Sequence, residues 1–260
     1  MNNKNDSCAL KTGEETELAV RPAYQDKLGW VSPAYTSSRS VQLDVASVLD
    51  NRLVAIDNRN QEVETYRILR SQILRSCEER GCGKTLMVTS AVSGEGKTVT
   101  AINLAMTLAK EFSQTALLVD CDFRQQQVHQ MLSYPSDLGL ADYLLRDTAF
   151  SDIVVWPGIE KLTVISGGKP IGASSELLGS PGMRRLIEEM KNRYPERYVI
   201  FDAPPVLSCS DALALAPLVD SIVVVVRADK TSRREIAKAL DMLPREKVVG
   251  LVLNRVPVGI

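Results

Sequence analysis

The stretch TSAVSGEGKTVTAINLA, residues 89–105, decides the fold. Its centre, Ser93-Gly94-Glu95-Gly96-Lys97-Thr98, joins the end of an apolar segment to the start of a helical pattern, which is the context in which a glycine-rich loop binds phosphate. Main-chain amides of such a loop surround phosphate oxygens, and the helix N-terminus favours the anion. Lys97 then neutralises the β/γ region, and the Thr98 hydroxyl is a ligand for Mg²⁺. The residues expected to contact a nucleotide here are Ser93, Gly94, Glu95, Gly96, Lys97, Thr98 and Val99. Ala91 stands where the usual pattern has its first glycine; a residue in extended conformation there needs no glycine.

On either side of this loop the chain alternates apolar strands (residues 85–90, 116–120, 161–166, 198–202, 221–227 and 248–254) with helical stretches (97–111, 181–192 and 232–243). Ser180 before Pro181 is a strong helix start, because the hydroxyl caps free amides and proline suits the first turn. Strands this apolar are buried on both faces, so the fold class is α/β: a mostly parallel central sheet with helices on both faces. Two more strand ends are acidic: ALLVDCDFR carries Asp120 and Asp122, and YVIFDAPP carries Asp202. Ligands of open α/β sheets collect at the carboxyl ends of strands. With Lys97 and Thr98, the three acids supply metal-ordering carboxylates and a candidate base.

With 260 residues, the chain has room for one sizeable domain plus appendages. Its 31 basic and 32 acidic side chains leave a formal charge of −1, which exerts no global pull toward nucleic acid or an anionic bilayer. The N-terminus lacks a signal-peptide layout, and no run reaches the roughly 18 apolar residues of a membrane span, so a cytoplasmic location is expected. Five scattered cysteines read as reduced structural thiols, and the single histidine, His129, leaves no histidine-based metal cage.

The domain reading is a flexible tail over 1–45, a helical docking or oligomerisation segment over 46–80, and a nucleotide-binding domain over 81–260. The tail repeats Arg-Pro-Ala-Tyr and Ser-Pro-Ala-Tyr, placing Tyr24 and Tyr35 in it. In the helical segment Tyr66, Leu69 and Ile73 form an apolar stripe beside a charged row of Glu64, Arg67 and Arg70.

These motifs together resemble the bacterial tyrosine kinases of capsule and exopolysaccharide systems, a family of P-loop NTPase ancestry with SIMIBI-like architecture. The likeness runs from about residue 60 to 255 and rests on SAVSGEGKT, LLVDCDFR, the DAPP segment at 202–205, Ser210-Asp211-Ala212, SSELLGS at 174–180 and the closing GLVLNR. It implies an ATP- and Mg²⁺-dependent protein-tyrosine (auto)kinase. Catalytic roles would fall to Lys97, Asp120, Asp122 and Asp202, metal binding to Thr98, Asp122 and Asp202, and an adenine contact to Asn254. Asp120 is favoured as base toward the tyrosine hydroxyl, with Asp122 as metal or water partner. The resemblance also implies homo-oligomerisation through the Glu64, Arg67, Arg70 helix, and a separate inner-membrane polysaccharide co-polymerase as partner. The chain would then sit peripherally at the membrane through that partner, regulating chain length and export.

Three departures accompany the match. Ser93 replaces a common proline, Ala173-Ser174 replaces Asn-Pro, and no tyrosine follows Tyr198, so the family's C-terminal tyrosine cluster has no counterpart. An ATP-binding regulatory scaffold of the same system is therefore the alternative. A ParA/MinD-like switch ATPase is disfavoured because Val92 stands where that group carries its extra lysine.

Overall fold

A computed structural model describes residues 38–57, 59–146 and 148–257. Its strands are β1 (Arg39–Ser40), β2 (Thr85–Ser90), β3 (Thr115–Asp120), β4 (Val154–Trp156), β5 (Leu162–Ile165), β6 (Arg197–Asp202), β7 (Ser221–Arg227) and β8 (Val248–Asn254). They form one sheet in the order β1-β4-β5-β3-β6-β2-β7-β8. Every described pairing is parallel except β4 with β5. The longer helices are α1 (Val63–Arg80), α2 (Lys97–Ala109), α3 (Pro181–Arg193) and α4 (Arg233–Met242).

Side chains of a strand point alternately to opposite faces, and the core divides accordingly. Met87, Leu117, Val119, Phe201 and Val224 face one layer with Leu186 and Ile187 of α3 and Ala239 of α4. Leu86, Val88, Leu118, Ile200 and Val223 face the other, against Ile102 and Leu104 of α2. The expected Ser180 cap is in place: its hydroxyl accepts from Met183 N at 3.1 Å, with Pro181 in the first turn of α3.

The parallel strands have the expected places, with small shifts at the ends of β3, β5 and β6. The edge pair β1/β4 was not anticipated. β4 is a three-residue strand following the four-residue helix Phe150–Ile153, and a run this short and apolar gives no period by which to tell helix from strand. β1 lies inside the stretch read as tail, so the ordered fold begins before residue 45; residues 1–37, with Tyr24 and Tyr35, lie outside the described ones.

Residues 46–80 share the core of the sheet. Val48, Leu53, Val63, Ile73 and Cys77 are buried with Leu86 and Ile102, and Tyr66 and Leu69 rest against the same cluster. The apolar stripe of α1 thus faces its own domain. The charged row divides: Glu64 and Arg67 pair with each other at 3.1 Å on the surface. Arg70 turns inward, donating to Thr107 O at 2.9 Å and pairing with Glu111.

Truncating Ile73, only 6% exposed, to Ala should lower unfolding free energy by about 2–4 kcal/mol in urea denaturation. Arg67→Ala, which removes a surface pair, should change it by less than about 1 kcal/mol.

Candidate functional site

Parallel pairing brings the critical strand ends together. Asp120 and Asp202 are register partners across β3 and β6, and Asp202 is also opposite Val88 of β2. The loop after β2 then turns directly into α2. Gly94 and Gly96 have φ of +81° and +93°, the left-handed region that a Cβ disfavours, so both glycines are required by the turn. Ala91, fully buried, is not among the residues with positive φ. Its carbonyl accepts from Leu207 N, fixing the loop to the segment after β6.

Lys97 sits at the centre of the acids. Its Nζ lies 3.0 Å from Asp122 Oδ2 and 3.5 Å from Asp202 Oδ1, and donates to Thr98 Oγ1 at 3.2 Å. Thr98 in turn donates to Asp202 Oδ2 at 2.7 Å. Burial disfavours the charge on Lys97, but the Asp202 and Asp122 carboxylates outweigh it and hold the amine protonated well above the ordinary lysine value. Asp120 accepts from Asp122 N (3.0 Å) and Val128 N (3.2 Å). Burial, reinforced by Asp202, pushes Asp120 up to about 8. Asp202 is likewise raised by burial, against the pull of Lys97.

Three carboxylates around one lysine leave surplus negative charge, which suits a hard cation. Asp202 Oδ1 is buried without a hydrogen bond, and the Thr98 hydroxyl shares its other oxygen. No group of three or more His, Cys, Asp or Glu side chains among the described residues forms a cage by itself. That set fits Mg²⁺, which takes one or two protein oxygens and completes its shell with phosphate and water.

The side chains of two residues expected at the nucleotide, Asn254 and Glu95, also bond within the protein. Asn254 donates from Nδ2 to Glu95 O at 2.8 Å and accepts from Arg255 N at 2.8 Å, so its side chain supports the loop from beneath. The Glu95 carboxylate, 1% exposed, accepts from Val92 N and from Arg227 N at the end of β7. The sequence signal for both roles was the motif alone, which does not report side-chain direction. Arg124, two residues beyond Asp122, was not singled out. It pairs at 3.8 Å with the buried Asp211, which places the Ser210-Asp211-Ala212 segment beside the acidic strand end, and it lines an open cleft of about 590 Å³ with Gln125, His129 and Gly168.

Residues 83–246 match the family described as AAA domain. Tyrosine-protein kinase YwqD of Bacillus subtilis (strain 168) is 32% identical over 206 residues, 78% of this chain and 85% of its own. The succinoglycan biosynthesis transport protein ExoP of Rhizobium meliloti (strain 1021) is 32% identical over 79% of this chain and 26% of its own. The kinase domain of Escherichia coli tyrosine kinase ETK superposes with a TM-score of 0.71 at 25% identity, covering 93% of this chain and 98% of that one.

A raised carboxyl pKa means that the folded protein keeps a proton the unfolded chain has lost between about pH 4 and 8, so this group's contribution to stability is lost as pH rises through that window. The unfolding free energy of the wild type minus that of Asp120→Asn, followed by urea denaturation, should therefore fall by on the order of a few kcal/mol from pH 4.5 to 8.5.

Proposed function

Because the chain belongs to the bacterial tyrosine-protein kinases of the AAA-domain family, we propose that it transfers the γ-phosphoryl group of ATP to protein tyrosine hydroxyls in control of exopolysaccharide or capsule chain length and export. The observation that carries this reading is Lys97 shared between Asp122 and Asp202 directly below the phosphate loop, with Thr98 bonded to the same Asp202. The loop amides of 93–99 and Lys97 bind the triphosphate, and Thr98 with Asp202 and Asp122 holds Mg²⁺. Bound ATP with Mg²⁺ supplies the transferable phosphoryl group and neutralises charge as it leaves.

A phenol with a pKa near 10 is a weak nucleophile at neutral pH, so it needs a base of matched proton affinity and a fixed line of approach. Asp120, raised to about 8, fits that demand and is assigned as the base, with Asp122 as metal or water partner. Burial of Asp120 requires the acceptor to come close to the strand ends, and two main-chain donors fix the carboxylate there.

The partner assigned is a membrane polysaccharide co-polymerase on a separate chain. The reading is supported by the coverage of YwqD over most of its length, while ExoP, a transport protein by name, carries the same region as about a quarter of a longer chain. No helix among the described residues is long and apolar enough to cross a membrane. Self-association is assigned to the outer face of α1, where Glu64 and Arg67 are accessible, with Arg70 securing the helix to its domain.

Incubation with γ-labelled ATP, with and without a cytoplasmic segment of such a co-polymerase, should give phosphotyrosine mapped by mass spectrometry, Tyr24 and Tyr35 included. Lys97→Met should reduce it by at least on the order of a hundredfold. Free phosphate without phosphotyrosine would instead support the scaffold or switch-ATPase alternatives.

A further inference from the structure

A carboxylate in a phosphate loop poses a charge conflict, since a polyanion must approach within a few ångströms. Glu95 resolves it by facing inward. Its Oε2 accepts from Val92 N at 2.7 Å, within the loop. Its Oε1 accepts from Arg227 N at 3.1 Å, the last residue of β7, and from the Thr231 hydroxyl in the turn that follows. The main-chain carbonyl of the same residue accepts from Asn254 at the end of β8. Thr231 Oγ1 also accepts from Arg227 N, closing the turn over 227–231 on itself. One residue thus joins the phosphate loop to two further strand ends, on the side of the sheet away from Asp120.

We propose that Glu95 is a positioning residue for ATP binding: its side chain holds the phosphate loop in its receptive shape by tying Val92 to the turn over 227–231, and contributes no direct ligand to the nucleotide. The inference rests on the nucleotide reading of the loop. A shorter acid cannot span Val92 and Arg227 together, and an amide offers an acceptor to only one of the two, turning an N–H toward the other. Loss of either tie loosens the loop before nucleotide arrives, so ordering it is charged against binding rather than against turnover at saturation.

The test uses the full chain, with Mg²⁺ and a fluorescent ATP analogue for affinity and tyrosine phosphorylation or phosphate release for turnover. Glu95→Gln should weaken analogue binding and raise the KM for ATP about tenfold, corresponding to one lost charged hydrogen bond, while kcat at saturating ATP stays within about twofold. Thr231→Val should raise KM about threefold, and Thr231→Ser, which keeps the hydroxyl, should restore it. Circular dichroism and thermal unfolding separate loosening of the loop from loss of fold. An unchanged KM in both Glu95→Gln and Thr231→Val, or a Thr231→Ser variant as impaired as Thr231→Val, overturns the proposal. A wild-type chain that binds no ATP analogue overturns the nucleotide reading itself, a separate outcome.

Discussion

Three buried carboxylates share one ammonium at the carboxyl ends of β3 and β6, and the surrounding structure makes that imbalance tolerable. Charges removed from water are costly unless paired and hydrogen-bonded. Lys97 pairs with two of the acids, Thr98 donates to one of them, and main-chain amides supply Asp120. The residual negative charge is shifted toward protonation at Asp120, where burial is complete. The excess of carboxylates over ammonium groups is the chemical basis for assigning a cation and a polyphosphate to this place together.

The parallel sheet converts that local requirement into a fold. Only a parallel arrangement sends the ends of β2, β3, β6, β7 and β8 to one edge, and the register sets Asp120 beside Asp202 and Arg227 beside Asn254. Helix α2, almost wholly buried, fixes Lys97 and Thr98 by packing rather than by surface contacts. Its far end is held by Arg70 on Thr107 O, and Asn103 in its middle accepts from Ala55 N and donates to Arg52 O. The helix that follows the phosphate loop is thus tied to the segment before α1 as well as packed on the sheet.

Most of this was legible in residue order because apolar strands of six or seven residues bounded by Gly, Asp or Asn leave little ambiguity. The acidic strand ends were legible for the same reason, since Asp120 and Asp202 follow unbroken apolar runs and Asp122 stands two residues beyond Asp120. Side-chain direction was not. Residue order gives no direction for the side chains of Glu95, Asn254 and Arg70, and each turns inward to a main-chain partner that is distant in sequence. The pairing of Arg124 with Asp211 escaped for a related reason: 87 positions separate them, and only the meeting of the β3 and β6 ends brings them together.

The contact beneath Gly96 links two positions far apart in the sequence. A Cβ at that position would fall 2.1 Å from Asn254 Nδ2, so the two positions occupy one volume. With φ at +93° and that amide beside it, position 96 has no room for a side chain while Asn254 keeps its present rotamer. A side chain at 96 therefore requires a compensating change at 254, which couples two positions 158 residues apart in the chain.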